Sequence, residues 1–187
     1  MTAVCDIEPI GSTIGAEIHG LDLSRQIDRE TATALEQALI QHKVIYARDQ
    51  HITTAQHVVF GRLFGELEVH PFRPEGEFPE IMVLDNHKEN PVLSTDVWHS
   101  DTTFRDCPTK YSILRCLTIP ETGGDTLWAD MCAAYDGLSK PIQHMIDGLD
   151  AVHDFKNFRA LFANSDEEST RLKEMEDLYP NPTHPVV

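Results

Sequence analysis

Apolar residues recur at helical spacing in the first quarter of the chain. Ala32, Leu35 and Leu39 share one face of a segment that follows Asp28. A short acidic residue at this point is a typical N-cap, because its side chain can accept a hydrogen bond from the free N–H groups of the first turn. The pattern predicts a helix over about residues 29–42.

A second helix is predicted from its start and stop signals. Thr53 or Thr54 can cap it, and Val59 and Leu63 supply its apolar side. Gly65 stands at a typical helix end, since glycine readily adopts the left-handed conformation that often closes a helix.

Further helices are predicted in the second half of the chain from capping residues and apolar spacing. They are Ala133–Leu138, a helix capped by Ser139 with Pro141 near its first turn and an end at Gly148, and a charged helix from Ser165 to about Leu178.

Short apolar runs and alternating patterns predict strands between these helices. The predicted strands are short pieces within residues 5–23, separated by turns at Gly11, Gly15 and Gly20, and the segments Val44–Ala47, Glu80–Leu84, Lys110–Leu117 and Thr126–Ala129. Helices and strands mix without strict βαβ alternation, so the pattern predicts an α+β fold.

The size and composition of the chain fit one globular domain. It has 187 residues, of which 41% are hydrophobic and 25% are charged, and these values are ordinary for a soluble protein. The formal net charge of -16 argues against nucleic acid and against an anionic membrane surface as partners, because both attract clustered Lys and Arg. A small anionic substrate stays compatible, since a few local cations can dominate a pocket.

No targeting or membrane segment is evident in the sequence. The segment Met1–Gly20 contains acidic residues and no long apolar run, and no segment approaches the apolar length of a membrane span. The four cysteines form no C-x-x-C pair, which disfavours a zinc knuckle or a dithiol redox site. Reduced thiols and a cytoplasmic location are therefore expected.

A candidate metal site lies at His99 and Asp101. Side chains at i and i+2 leave the same face of a strand, and an imidazole beside a carboxylate suits a non-haem Fe(II) ion held by two histidines and one carboxylate. Trp98 and Phe104 on either side indicate apolar surroundings, where a metal ion would offset an otherwise unpaired charge.

Two other interpretations compete with an iron site. Chance alone supplies roughly one His-x-Asp triplet in a chain with 10 histidines, and the bland alternative is a surface His beside a surface Asp. A zinc hydrolase with the same pair is disfavoured, because zinc prefers three protein ligands and no nearby third ligand is evident.

Several motifs together resemble the taurine dioxygenase (TauD/TfdA) family. The main ones are the run Trp98–Phe104 and the turn Pro120–Thr126. The others are Gly15–Leu23, Phe64–Gly65, His70–Pro71, Ala133–Tyr135, His153–Phe155 and His184–Val187. Their order and spacing are specific together, and the resemblance covers nearly the whole chain.

The resemblance implies a jelly-roll (double-stranded β-helix) core with flanking helices, incomplete in this chain. It implies hydroxylation of an aliphatic carbon with Fe(II), O2 and 2-oxoglutarate, with release of succinate and CO2. His99 and Asp101 match the family's first two iron ligands. Thr126 matches the Thr whose hydroxyl contacts a carboxylate of 2-oxoglutarate. Analogy with the family also suggests a homo-oligomer.

The resemblance further places His70 in the substrate pocket, where the family has a His that contacts the acidic group of the substrate. A loop His that caps backbone is the alternative. Phe158 is expected to line the same pocket, and an ordinary core aromatic is equally compatible.

The pocket departs from the taurine-specific pattern at two places. Arg73 follows the pocket His where the taurine enzyme has a nearby Tyr, and Ser94 and Thr95 replace Asp-Asn. The lost carboxylate removes a partner for a substrate ammonium, whereas Arg73 can pair with a carboxylate or sulfate, unless it is a solvated loop charge. An anionic substrate without an amine is predicted: an alkyl sulfonate, an alkyl sulfate ester or an aryloxy-carboxylate.

Residues 1–187 are expected to form one family domain that corresponds to the N-terminal two-thirds of a member. The family's third iron ligand and the Arg that pairs with 2-oxoglutarate would follow Val187. By resemblance His184 lies on a strand near the end of the chain that precedes that segment, so it is not expected to be a ligand. The alternative function is a truncated, non-catalytic binding module of the same fold.

Overall fold

The computed structural model describes residues 5–69, 76–84, 97–154 and 166–187, with backbone only at 166–169 and 171. The described residues belong to two compact units. Unit 1 draws on Met1–Pro91 and Arg115–Gly137, and unit 2 draws on Val92–Leu114 and Leu138–Val187.

Unit 1 contains a three-stranded sheet in the order β1-β2-β3. β1 (Asp6–Pro9) and β2 (Ala16–His19) are antiparallel, with Ile7 opposite Ile18. β3 (Ile45–Tyr46) pairs with β2 in parallel. The predicted short strands in this part of the chain are confirmed.

Gly15 closes the turn between β1 and β2. Its φ is 97°, a conformation that glycine adopts at little steric cost. A Cβ atom at this position would lie 2.8 Å from Cγ1 of Ile10, so a larger residue would have to displace the Ile10 side chain.

Helix α1 (Arg29–His42) begins and ends as the pattern predicts. The carboxylate of Asp28 accepts a hydrogen bond from the backbone N–H of Thr31 at 2.7 Å and caps the first turn. Its apolar face packs on the sheet, and the buried cluster consists of Ile18, Leu35 and Ala38. Of the predicted apolar face only Leu35 is fully buried, so the helical spacing located the core-facing side of the helix only in part.

Helix α2 (Thr54–Gly61) begins with a capping box formed by Thr53 and Gln56. A turn of 3-10 helix (Arg62–Phe64) follows. Gly65 then leaves the helical conformation with a φ of 141°. The predicted cap and stop are both confirmed.

Helix α3 (Met131–Asp136) starts two residues before the predicted segment. Asp130 is its N-cap and accepts a hydrogen bond from the N–H of Ala133 at 3.1 Å. Nζ of Lys43 lies 3.0 Å from Oδ2 of Asp130. This ion pair ties the end of α1 to the start of α3 within unit 1.

Unit 2 contains α4 (Lys140–Ile146), β4 (Asp150–Val152), α5 (Asp166–Leu178) and β5 (Thr183–Pro185). The two predicted helices and the expected strand near the end of the chain are thus confirmed. β4 and β5 are antiparallel. The ring of Phe104, which is only 6% exposed, packs edge-on against Tyr179 with centroids 5.5 Å apart, also within unit 2.

Three predicted strands do not form in the described structure: residues 81–84, 110–117 and 126–129 are irregular. A strand needs a hydrogen-bonded neighbour, and none of the described segments pairs with them. Their apolar side chains stay largely exposed, for example Val83, Leu117 and Leu127. Alternation alone was insufficient evidence for a strand here.

The described residues therefore form mixed helix and sheet, in agreement with the predicted α+β class. Within these residues no helix is both long and apolar enough to cross a membrane.

Candidate metal centre

His99 and Asp101 lie together in unit 2, with Nε2 of His99 3.5 Å from Oδ1 of Asp101. The predicted reason was wrong, because residues 97–104 form no strand. The two side chains instead meet where an irregular segment runs into a turn that begins at Asp101. The N–H of Arg105 closes this turn on the carbonyl of Thr102 at 3.1 Å.

The imidazole of His99 is oriented by its other nitrogen. Nδ1 lies 2.7 Å from the carbonyl oxygen of Val97, and since a carbonyl can only accept, Nδ1 carries the proton and donates. In the neutral ring Nε2 is then an acceptor with its lone pair free for a metal ion. Nε2 faces a carboxylate oxygen of Asp101, so with a neutral imidazole two acceptors lie side by side, an arrangement that a bound cation would stabilise.

The carboxylate of Asp101 is oriented in the same manner. The hydroxyl of Ser112 donates to Oδ2 at 2.6 Å, which directs Oδ1 toward His99. Hydrogen bonds of this kind to the far atom of a ligand fix its orientation in metal sites.

The separation of the two acceptors fits one metal ion. Two ligand atoms that each lie about 2.1 Å from the same ion are at most about 4.2 Å apart. The observed 3.5 Å between Nε2 and Oδ1 falls within that limit.

Thr102, directly after Asp101, has a φ of 54°. A β-branched residue in this left-handed region is strained, and such residues persist only where neighbouring contacts hold them. Oγ1 of Thr102 accepts a hydrogen bond from the N–H of Thr109 at 2.9 Å and lies 2.9 Å from Oγ1 of the same residue. These contacts brace the turn that carries Asp101.

The side chains of His99 and Asp101 are more exposed to solvent than the apolar residues beside them in the sequence predicted. The side chains of His99 and Asp101 are 62% and 53% exposed, and Trp98 is 67% exposed. The expectation of apolar surroundings is therefore wrong for Trp98 and correct only for Phe104. An exposed His–Asp ion pair by itself contributes little stability, so stability alone does not explain this arrangement.

His184 does not join the pair. Its Nε2 lies 2.9 Å from the carbonyl oxygen of Thr103 and 3.0 Å from that of Arg105, and is thus used as a hydrogen-bond donor. Among the described residues no group of three or more His, Cys, Asp or Glu could hold a metal ion. The part of the chain that the structure describes thus contains two candidate ligands, His99 and Asp101.

A comparison of the chain with known protein families shows which family it belongs to. Residues 6–187 match the profile of the taurine catabolism dioxygenase TauD, TfdA family. The chain belongs to the TauD/TfdA family. The resemblance inferred from the motifs is confirmed.

The relatives of this TauD/TfdA chain include a sulfate ester dioxygenase and an alkylsulfatase. An alpha-ketoglutarate-dependent sulfate ester dioxygenase from Pseudomonas putida is 39% identical over 79% of this chain and 49% of its own length. An alkylsulfatase from Acinetobacter baylyi is 39% identical over 81% of this chain and 48% of its own length. The chain therefore spans about half the length of these relatives.

A solved structure of a putative alpha-ketoglutarate dependent 2,4-D dioxygenase from Burkholderia xenovorans resembles the chain closely. It is 31% identical, covers 98% of this chain and 64% of its own, and superposes with a TM-score of 0.77. The backbone of the TauD/TfdA chain is thus similar to that of a larger family member.

Thr126, the expected 2-oxoglutarate contact, lies in unit 1 and is exposed. It follows Gly123 and Gly124, whose φ values are 75° and 73°. These positive φ values favour glycine at both positions, and a Cβ at Gly124 would lie only 3.2 Å from Cγ of Pro120. The role of Thr126 stays a prediction.

The four expected substrate-pocket residues, His70, Arg73, Thr95 and Phe158, lie outside the described residues, and their roles also stay predictions. Conversely, the roles of Ser112 and Thr102 were not predicted. Thr102 stood in the run Trp98–Phe104 without an assigned role. No motif marked Ser112, because a hydroxyl in an irregular segment is common and only the folded chain brings it to Asp101.

Proposed function

We propose that this TauD/TfdA chain is the part of an Fe(II)- and 2-oxoglutarate-dependent dioxygenase that supplies the first two iron ligands. The observation that carries the proposal is the pair of acceptors, Nε2 of His99 and Oδ1 of Asp101, that face each other at 3.5 Å. Both are oriented by hydrogen bonds to their far atoms.

Each residue of the proposed site would have a separate role. His99 and Asp101 hold the ion, and Ser112 keeps Oδ1 of Asp101 directed toward it. When bound, Fe(II) supplies the activation of O2 that protein side chains cannot provide, and the cosubstrate 2-oxoglutarate supplies two electrons as it is converted to succinate and CO2. The hydroxyl of Thr126 would donate to a carboxylate oxygen of 2-oxoglutarate. The complete site lies in a jelly-roll core.

The proposed substrate is a small organic anion, and an alkyl sulfate ester is the class we favour. The names of two relatives at 39% identity concern sulfate esters or their cleavage. Arg73 is the cation assigned to the sulfate group, with His70 as a second contact and Thr95 and Phe158 on the pocket wall. Hydroxylation of the carbon that bears the ester oxygen would give an unstable product that eliminates sulfate and leaves an aldehyde.

The metal pair is tested by an anaerobic titration of the full-length protein with Fe(II) in the presence of 2-oxoglutarate. The wild type should develop the visible charge-transfer band of iron chelated by 2-oxoglutarate. His99→Ala and Asp101→Ala should each abolish it. The matched controls His144→Ala and Asp177→Ala change exposed residues of unit 2 and should retain it. Retention of the band in His99→Ala or Asp101→Ala removes that residue from the ligand set.

The substrate class is tested separately by substrate-dependent release of succinate. A panel should contain an alkyl sulfate, an alkyl sulfonate, an aryloxyacetate and taurine at equal concentrations. The alkyl sulfate is expected to give the fastest turnover, with sulfate and succinate released in equal amounts. A preference for taurine over all the other acids would refute the proposed substrate class while leaving the iron site intact.

The non-catalytic binding module stays the alternative function. The names of the relatives are those of enzymes, which favours the oxygenase. A full-length protein that forms no charge-transfer band under the conditions above would favour the module.

A further inference from the structure

His184 lies on β5 at a position fixed by the β4–β5 ladder. Ala151 is its partner in the antiparallel register. On both sides of this pair further backbone hydrogen bonds hold the ladder, since the N–H of His153 donates to Pro182 and that of Val186 donates to Leu149, each at 2.9 Å. The backbone of His184 is therefore well anchored within unit 2.

From this anchor the side chain of His184 reaches the turn that carries Asp101. Its Nε2–H is shared between the carbonyl oxygens of Thr103, at 2.9 Å, and Arg105, at 3.0 Å. The imidazole also packs edge-on against the ring of His153, with centroids 4.9 Å apart. These contacts give the ring a defined orientation.

The turn needs such a contact because it is strained at its start. Thr102 has a φ of 54°, and the two carbonyls bound by His184 belong to the first and third residues after it. The buried ring of Phe104, which lies between these two carbonyls in sequence, packs against Tyr179. The turn is thus held by apolar packing at Phe104 and by hydrogen bonds from His184.

We propose that His184 is a positioning residue for the metal pair: by holding the backbone of residues 103–105, it sets the direction of the Asp101 carboxylate relative to His99. This inference rests on the proposed iron site. His184 itself touches neither the metal nor the substrate, because its Nε2 is used by the two carbonyls.

The test compares three substitutions in the full-length protein. His184→Leu removes the donor and keeps an apolar side chain. His184→Gln keeps an N–H donor near the position of Nε2. His144→Leu makes the same chemical change at an exposed histidine of α4 in unit 2. For each variant the apparent Kd for Fe(II) with saturating 2-oxoglutarate, the position of the charge-transfer band and the Tm are measured anaerobically.

The expected result is a specific loss of metal affinity. His184→Leu should raise the apparent Kd about fivefold to tenfold, as expected for one shared neutral hydrogen bond, and should shift the band. His184→Gln should restore Kd to within about twofold of the wild type. His144→Leu should match the wild type in Kd and in band position.

Other results overturn the proposal. A lower Tm for His184→Leu with unchanged Kd and band would mean that the residue is only structural. Equal losses for the Leu and Gln variants would mean that the donor is not the relevant feature. If His99→Ala binds Fe(II) as tightly as the wild type, the proposed iron site is wrong and this inference fails with it. If His99→Ala loses Fe(II) binding and His184→Leu does not, only this inference fails.

Discussion

Ser112 determines which oxygen of Asp101 is available to a metal ion. Its hydroxyl binds Oδ2 at 2.6 Å and leaves Oδ1 beside the imidazole of His99. Without this bond the carboxylate can rotate about its terminal torsion, which is intrinsically soft. The orientation of the ligand is therefore a property of a residue outside the ligand pair.

Ser112→Ala should weaken Fe(II) binding about tenfold, the lower end of the effect of losing a hydrogen-bond partner of a ligand. The apparent Kd from the charge-transfer titration measures it. Ser139→Ala serves as the control, since Ser139 also lies in unit 2 and its side chain makes no capping hydrogen bond. An unchanged Kd for Ser112→Ala would show that Asp101 needs no such support.

Only some of the residues of the site could be predicted from the sequence. His99 and Asp101 were identified correctly as neighbours, because two residues of spacing limits how far apart their side chains can be. The reason given for their proximity, a strand, was wrong. Ser112 could not be found, because its contact with Asp101 spans 11 residues and depends on the path of the chain between them.

At the level of elements, the helices depend on local caps that differ in strength. Thr53 both caps α2 and takes part in a reciprocal bond with Gln56. Ser139 occupies the same position on α4 without a side-chain hydrogen bond. The two positions therefore compare an N-cap residue that makes a side-chain hydrogen bond with one that makes none.

Thr53→Ala should lower the free energy of unfolding by about 1 kcal/mol, the usual cost of losing an N-cap hydrogen bond. Ser139→Ala should change it by less than about 0.5 kcal/mol. Urea unfolding followed by circular dichroism measures both. Equal losses for the two variants would contradict the assignment of the caps.

Asp130 links pH to the stability of unit 1. The N–H of Ala133 first, and then the ammonium of Lys43, hold the pKa of this carboxyl below its ordinary value, while the side chain is only 5% exposed. A carboxyl with a lower pKa in the folded state stabilises the protein above its unfolded pKa, and this contribution is lost as the pH falls through the folded pKa.

Asp130→Asn should therefore destabilise the protein near neutral pH, and the difference from the wild type should shrink as the pH falls below about 3.9, the ordinary Asp value. Urea midpoints of both proteins between about pH 7 and about pH 3 test this. A difference that stays constant over the whole range would show that the charge of Asp130 is unimportant.

The predicted helices formed and several predicted strands did not, for a physical reason. The caps and apolar spacing of α1 and α2 act within a few residues of the chain, so the sequence contains them directly. A strand at 110–117 or 126–129 needs a hydrogen-bonded partner strand, and alternation contains no information about where in the sequence that partner lies. The β4–β5 ladder joins segments more than 30 residues apart, and only its second strand was predicted.

For the whole molecule, binding of a metal ion should be coupled to stability, because an ion that binds only the folded protein shifts the folding equilibrium. The net charge of -16 also attracts divalent cations without a specific site. A measurement on the wild type alone would mix the two effects, so a variant without the site is required.

Mn(II), an air-stable ion that accepts the same nitrogen and oxygen ligands, should raise the Tm of the full-length wild type by about 5 °C at about 100 times its Kd. His99→Ala should show a much smaller rise, because its metal site is lost and only the unspecific attraction of ions to its unchanged acidic surface is left. Differential scanning calorimetry measures the shifts. An equal rise in both proteins would mean that the ion binds elsewhere.

The most direct test of the central claim is the position of iron in the folded protein. Crystals of the full-length protein grown anaerobically with Fe(II) should give one strong anomalous difference peak at the iron absorption edge, about 2.1 Å from both Nε2 of His99 and Oδ1 of Asp101. A peak that contacts only one of these atoms, or that lies elsewhere in the protein, would contradict the account.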